Sequence, residues 1–449
     1  MQSTDHAKLS DFRFVDRRPE AGVFRVHRSA YKSPEVFELE KERIFSKCWL
    51  YVGHESEVAK KNDYVARRVG GRELVFLRDR EGKIRAHYNS CTHRGPIVVR
   101  EPRGNRKSFT CEYHGWVFNN TGKLMSFSAD SGYRENQNCD GRLNLTPVER
   151  LEDYRGFYFV NFNPKAISLY DYLDGARDAF DQLCEQAEDG LEVLQGELAY
   201  STKANYKYLM ENSYDGYHVG PTHATYVEYL LERVADNPAA VQQVKDTMAK
   251  FSTSGRTRML GNGHALLESN VPTGRPVAQW TPAFGAELKP SIDAKYAWLQ
   301  KQYGPERADY IANFQKNLIV FPNLVINDIH AITIRVVEPV AHDSMRVIAW
   351  ALAPKNEDPA LRKLRLDNFI SFLGPAGFGS PDDIEMLELC QQGIEGTSMQ
   401  WSEYSKGFGP QCGDSLKGEG GPDDEVQIQA YWTQWDRVVR GLDTLEVKD

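Results

Sequence analysis

Cys91-Thr-His93-Arg-Gly95 and Cys111-Glu-Tyr-His114-Gly115-Trp116, with seventeen residues between His93 and Cys111, decide how this chain is read. The runs form mirrored pairs, Cys-x-His and Cys-x-x-His, and offer two thiolates and two imidazoles. Four such side chains can hold a tetrahedral zinc ion. They can equally hold a [2Fe–2S] cluster, with the thiolates on one iron and the imidazoles on the other. Zinc ribbons and fingers use C-x2-C or H-x3–5-H spacings, and Cys-x-His is uncommon among them. Gly95 and Gly115 favour the cluster, because backbone N–H groups must approach its sulfurs with no side chain between.

The flanking pattern is β from Asp63 to about Phe162. Tyr64–Val69 alternates, Gly70-Gly71 turns, Glu73–Leu77 pairs back, and Asp79-Arg-Glu-Gly82 turns again. Ile84–Ser90 leads into Cys91, Ser108–Thr110 leads into Cys111, and Trp116–Phe118 leads away to the turn Asn119–Gly122. Both Cys/His pairs are therefore expected on loops at hairpin ends, presented by a rigid sheet. Arg155–Asn163 closes the region.

The chain has 449 residues, room for two or three domains. Hydrophobic content of 41% and charged content of 26% are those of an ordinary globular protein. Net charge is −8 with no basic tract, which argues against nucleic acid as a partner. There is no apolar leader and no run of about 18 apolar residues, so neither a signal peptide nor a membrane span is expected. Seven scattered cysteines fit reduced thiols in the cytoplasm. Only Cys91 and Cys111 have ligand-like neighbours; the other five are expected to be small buried apolar residues.

Residues 1–33 read as polar and irregular. A helix is expected from Pro34 to about Ser46, capped by Ser33. Helices are also expected at 168–188, 291–303, 307–317, 358–373, 380–392 and 425–440. Strands are expected at 195–203, 318–327, 331–338 and 344–352. Residues 252–290, rich in Gly, Pro, Ser and Thr, read as mostly loop and as a lid or pocket wall.

A second constellation lies at Glu211-Asn212-Ser-Tyr-Asp215-Gly-Tyr-His218-Val219-Gly-Pro-Thr-His223, within a helical stretch from Tyr206 to about Leu231. Asp215 and His218 are three apart and share a face of a helix. His223 points elsewhere on an ideal helix, but Gly220-Pro221 breaks the winding and lets it swing back. Two histidines and a carboxylate make a facial triad for non-haem iron. Asp215 and Glu211 are local candidates for that carboxylate. Asp383 is a distant one, in Ser380-Pro-Asp382-Asp383, where Ser380 reads as the N-cap and the helix dipole favours an ionised acid. On the plainer reading, the two aspartates decorate a helix start.

The two boxes, the central Asp-x-x-His-x4-His and the late Asp-Asp together resemble the large (alpha) subunit of Rieske non-haem iron ring-hydroxylating oxygenases. The general look is that of the benzoate, anthranilate and salicylate group. The resemblance implies an α+β fold, with a small all-β Rieske domain placed before a larger α/β catalytic domain whose antiparallel sheet is covered by helices. The divisions expected are residues 1–47, an N-terminal segment packing with the catalytic domain; 48–165, the Rieske domain; and 166–449, the catalytic domain. It implies one [2Fe–2S] cluster on Cys91, His93, Cys111 and His114, and one Fe(2+) on His218, His223 and Asp383. Asp215 takes the family's bridging role, linking an iron-bound histidine to His114 of the neighbouring subunit. Asn212 matches a polar residue beside the iron, and Val219, Leu373 and Gly379 are further pocket candidates. Asn212 and Asp215 are three apart, as in relatives acting on benzoate-like acids. Naphthalene-type enzymes have one more residue there, and an aromatic where this chain has Gly379.

By that resemblance, NADH feeds a separate reductase or ferredoxin, then the cluster, then the iron, which activates O2 for attack on an aromatic carboxylate. A homotrimer is implied, alone or with three small β subunits. With no Gly-x-Gly-x-x-Gly after a strand, the chain is not expected to bind NADH itself. A dioxygenase for neutral or polycyclic hydrocarbons, a monooxygenase or demethylase, and a plain Rieske electron carrier are the alternatives. Arg335 and His330 are weighed as carboxylate binders, but an arginine on a strand ordinarily faces solvent.

Overall fold

The computed structural model describes residues 9–127, 133, 137–251, 253–270, 275, 277, 279–412 and 416–447. The chain divides into two compact units. One is Phe45–Leu169 with the chain from Leu445 onward; the other is the chain up to Ile44 with Tyr170–Thr444.

The smaller unit is all antiparallel β. Its four-stranded sheet runs in the order Ile84–Tyr88, Arg72–Arg78, Asp63–Val69, Arg103–Asn105. Val69 pairs with Arg72 across Gly70-Gly71, both at positive φ (55° and 79°), the two-residue turn whose twist suits a hairpin. A three-stranded sheet holds Leu124–Ser126, Val117–Asn119 and Ser108–Thr110, and another holds Arg150–Tyr154, Phe157–Asn161 and Leu50–His54. Tyr64, Val75, Phe109, Trp116 and Phe118 fill a core that includes both Cys91 and Cys111. The cysteines are thus rooted in packed apolar material.

The larger unit is built on a nine-stranded antiparallel sheet. The order is Leu191–Val193, Ser344–Pro354, Ile332–Ala341, Leu324–Asp328, Gln315–Val320, His264–Ser269, Gly255–Gly261, Lys417–Gly420, and Leu198–Thr202 also pairs with Ser344–Pro354. Its central strands are buried along nearly their whole length, polar residues such as Asn327, Thr333 and Arg335 included. Helices supply the cover. Tyr206–Asn212 packs on Ile332–Ala341, Pro359–Leu373 on Ser344–Pro354, and Val426–Val439 on the 255–269 hairpin. Among the described residues, no helix is long and apolar enough to cross a membrane.

Several expectations are corrected. The expected loop at 252–290 contains the hairpin Gly255–Gly261/His264–Ser269. Its turn, Asn262-Gly263, has both residues at positive φ (49° and 77°), and Asn-Gly is the strongest short hairpin signal there is. Residues 252, 271–274, 276 and 278 of that stretch lie outside the described residues. The N-terminal stretch is not irregular from residue 9 on, residues 1–8 lying outside the described ones: Val15–Arg18 pairs with Val23–His27, which pairs with Trp401–Glu403. Phe14, Phe24 and Val26 alternate inward and explain it. The helix from Pro34 ends at Arg43, with Ser33 Oγ accepting from Val36 N at 3.2 Å. Cys48 and Cys412 are buried as expected, but Cys184 is half-buried and Cys139 and Cys390 are exposed.

Candidate functional site: two metal centres and a cavity

The two Cys/His loops have one geometry. Gly95 N donates to Cys91 O and Gly115 N to Cys111 O, each at 2.8 Å; Cys91 N donates to Pro96 O at 2.9 Å and Cys111 N to Trp116 O at 2.8 Å. Each loop therefore folds back over its own cysteine. Gly95 and Gly115 stand at φ of 86° and 69°, where a Cβ would strain the turn. Asn89, buried, holds the first loop: its Oδ1 accepts from Val98 N and Val99 N, and its Nδ2 donates to Val99 O. His93 stacks on Trp116 (4.8 Å between centroids, 7° between planes) and lies 4.5 Å from the His114 ring. Burial pushes the Cys91 thiol up, and Cys111 beside it adds to the rise. His93 Nδ1 is buried with no hydrogen-bond partner. An orphaned imidazole nitrogen beside two close thiols fits a metal cluster held by all four side chains.

The second centre draws on two distant stretches. Tyr206–Asn212 is helical, Ser213–His218 is not, and Val219–Thr222 is a single turn followed by Ala224–Arg233. The break therefore falls at 213–218, not at Gly220-Pro221, which sits inside the short turn. Asp215 and His218 do not share a helix face; a non-helical loop brings them together. His223 ends one helix and begins the next, at φ −105° and ψ 32°. The late helix is Ser380–Glu395, and its N-cap is Gly379, one residue before the expected Ser380. Ser380 Oγ instead donates to Leu373 O at 3.0 Å.

Ligand atoms of His218, His223 and Asp383 lie within 4.8 Å of one another. Both Nε2 atoms aim at Asp383 Oδ1, at 3.6 Å for His218 and 3.2 Å for His223. Asn212 Nδ2 donates to the same oxygen at 2.9 Å and lies 3.3 Å from His218 Nε2. Burial works against ionisation of Asp383, but the hydrogen bond and charge of His223, with His218 and Asn212, hold its pKa below the ordinary value. A carboxylate stands behind each imidazole: Asp215 Oδ2 is 3.8 Å from His218 Nδ1, and Asp382 Oδ2 is 3.7 Å from His223 Nδ1. Both Nδ1 atoms are buried without a hydrogen-bond partner among the described residues. Two histidines and one acid converging, each histidine backed by a second carboxylate, fit an iron or zinc ion. Asp382 is therefore more than helix decoration, and it also accepts from Thr225 Oγ1 at 2.9 Å. Sequence reasoning missed it, although the Asp-Asp doublet was the signal.

Glu211, the other local candidate, faces away. Its carboxylate accepts from Tyr31 Oη (2.6 Å), Tyr404 Oη (2.9 Å) and Trp432 Nε1 (2.7 Å). Burial raises its pKa to about 7 against those bonds. It anchors the helix that ends in Asn212.

A cavity of about 220 Å³ opens on the triad. Asn212, Val219 and Leu373 line it together with the three ligand candidates. Gly379 is not among its lining residues, and a Cβ there would meet the Phe372 ring from behind at 2.7 Å. Arg335, expected to face solvent, is buried at 3% exposure and lines the cavity, as does His330. The strand that carries Arg335 is covered on both faces, so strand position alone could not reveal it.

Residues 48–136 match the family described as Rieske [2Fe-2S] domain, and residues 189–441 match the ring hydroxylating alpha subunit (catalytic domain). The chain is 34% identical to the 2-halobenzoate 1,2-dioxygenase large subunit of Burkholderia cepacia, over 88% of this chain and 82% of that one. It is 33% identical to the anthranilate 1,2-dioxygenase large subunit of Acinetobacter baylyi, with the same coverages. A crystal structure of naphthalene 1,2-dioxygenase with indole in its active site superposes with a TM-score of 0.77, at 26% identity over 96% of this chain and 95% of that one. The chain belongs to the alpha subunits of Rieske ring-hydroxylating oxygenases. It is a terminal oxygenase component, an oxidoreductase whose cofactors are a Rieske [2Fe–2S] cluster and a mononuclear iron.

Proposed function

We propose that this alpha subunit hydroxylates the ring of a monocyclic aromatic carboxylate with O2 and electrons drawn from NADH. The observation that carries the reading is the convergence of His218, His223 and Asp383 on the wall of a cavity of about 220 Å³. A cavity of roughly 150 Å³ takes up benzene, so this one suits a single ring with a small substituent better than a fused polycycle. The 2-halobenzoate and anthranilate enzymes among its relatives favour the acid.

Cys91, His93, Cys111 and His114 would hold the cluster, and His218, His223 and Asp383 the iron. When bound, the two centres supply single electrons and an open position for O2. Asp383 is kept ionised by its neighbours and is ready as an anionic ligand. With iron bound, Asp215 and Asp382, 3.8 and 3.7 Å behind the imidazoles, would orient each ring so that Nε2 could serve as the ligand. Asn212 holds Asp383 Oδ1 in place. The apolar walls orient the ring and exclude water.

As an alpha subunit of this family, the chain works in a multimer with electron-transfer partners. The finer assignment is a trimer, α3 or α3β3, fed by a ferredoxin or an NADH-dependent reductase. His114 would face the next subunit's Asp215, and the two side chains would bridge the path from the cluster to His218 without either being reduced. Reconstitution with such partners, NADH and 18O-labelled O2 against benzoate, salicylate, anthranilate and naphthalene tests the proposal. Label is expected in ring hydroxyls of the acids, two atoms for dioxygenation and one for monooxygenation. Turnover confined to naphthalene would refute the substrate class.

A further inference from the structure

Three arginines are buried among the described residues: Arg275, Arg335 and Arg365. Arg275 pairs with Asp328 at 2.7 Å, and Arg365 pairs with Glu357 at 2.6 Å. Arg335 has no such partner. One of its terminal nitrogens donates to Ser213 Oγ at 3.0 Å, and Ser213 in turn donates to Leu209 O at 2.6 Å. Its Nε is buried with no partner. Its other polar neighbour is the phenol of Tyr200, which carries no counter-charge. A guanidinium cannot shed its proton in a protein, and a buried charge without a counter-ion is costly. Asp215 and Asp383 line the same cavity as Arg335, but neither makes an ion pair with it among the described residues, which leaves that cavity as the place where a further carboxylate can meet it. Ser213 directly follows Asn212, which bonds Asp383, so the cation is set beside the triad.

We infer that Arg335, positioned by Ser213, binds the carboxylate of the substrate and thereby fixes which edge of the ring faces the metal. The inference rests on the aromatic-carboxylate reading and adds the residue that enforces it. The planar fork of the guanidinium suits a carboxylate. A neutral aromatic would leave the charge unpaired, so selection against it is built into the wall rather than into the metal centre.

The test uses the assembled, metal-loaded oxygenase and two variants, Arg335→Met and Arg335→Lys. Binding of benzoate and of toluene is measured calorimetrically, alongside thermal unfolding. Wild type is expected to bind benzoate at least about 30-fold more tightly than toluene. Arg335→Met is expected to lose that benzoate affinity by a similar factor and to change toluene affinity less than about 3-fold. Arg335→Lys recovers part of the loss. Removing an unpaired buried charge leaves the ligand-free Tm of Arg335→Met no lower than wild type, while its benzoate-induced rise in Tm disappears. If wild type prefers benzoate and both variants keep that preference, Arg335 is not the anchor although the substrate class stands. If wild type binds toluene as tightly as benzoate, the substrate class fails and the inference falls with it.

Discussion

Replacing Asp215 by Asn removes a charge 3.8 Å from His218 Nδ1, where each side chain is 19% exposed. Two unit charges at such a distance interact by about 4 kcal/mol at an effective dielectric of 20. Burial offsets much of this, since it disfavours a charged His218, and contact with Asp215 leads the groups that reverse the effect. The loss of a carboxylate behind a metal-binding histidine is typically 10–100-fold, or about 1.4–2.7 kcal/mol. If Asp215 also bridges the electron path between subunits, the loss in turnover exceeds that range while the metals stay. The assay is a single turnover: reduce the cluster, add benzoate and O2, and follow cluster reoxidation and product. The variant is expected to keep the cluster's visible absorbance and most of its mononuclear iron. Reoxidation slows by more than about 100-fold, and product is lost. Turnover within about 3-fold of wild type would refute both roles, because neither orientation nor conduction would then depend on the carboxylate.

Asp383→Asn is expected to lower iron per chain by about a third, the mononuclear ion against the two of the cluster; Asp382→Asn keeps most of that iron, as metal analysis of both variants will check. Glu211 predicts a pH effect. Its carboxyl is raised from 4.5 to about 7, so the folded state holds a proton that the unfolded chain has released. Stability from this group is full below about pH 4.5 and is lost as pH rises to about 7, a fall of about 3 kcal/mol. Glu211→Gln should flatten that part of the unfolding free energy measured between pH 5 and 8. In the smaller unit, Gly71→Ala and Gly122→Ala both place a Cβ at positive φ (79° and 91°), a cost of about 1–2 kcal/mol. Only at Gly122 does the new carbon meet a buried ring, His87, at 2.7 Å. Denaturant unfolding should therefore show the larger loss at Gly122.

Most of the smaller unit was legible, because its turns carry Gly-Gly, Asp-Arg-Glu-Gly and Asn-Asn-Thr-Gly at the right offsets, but the short strands Arg103–Asn105, Leu124–Ser126 and Arg150–Tyr154 went unread. The sheet of the larger unit was only half legible. The Asn262-Gly263 hairpin was hidden in a stretch whose composition reads as loop. Local pattern found His218 and His223, but an ideal-helix argument misjudged the path between them, since Ser213–His218 is held by long-range bonds with Glu425, Arg335 and Gln427 rather than by helical winding. Asp383 came from resemblance, not from the residues alone. Asp382 and Arg335 needed coordinates. Whether an acid backs an imidazole, or a strand arginine turns inward, depends on which elements cover it, and sequence spacing does not encode that.

The three donors that hold Glu211 come from opposite ends of the chain, Tyr31 near the start, Tyr404 and Trp432 near the finish. Glu211 precedes Asn212, so the floor of the iron site is clamped by residues that leave the ribosome far apart. At 5–20 residues per second, Trp432 follows Tyr31 by about 20–80 s. His218 and His223 are made about halfway through that interval and wait about 8–32 s more for Asp383. Iron delivery is thus confined to the finished chain, and a nascent chain stalled before Trp432 should emerge with its cluster loops made and its mononuclear site unable to retain metal.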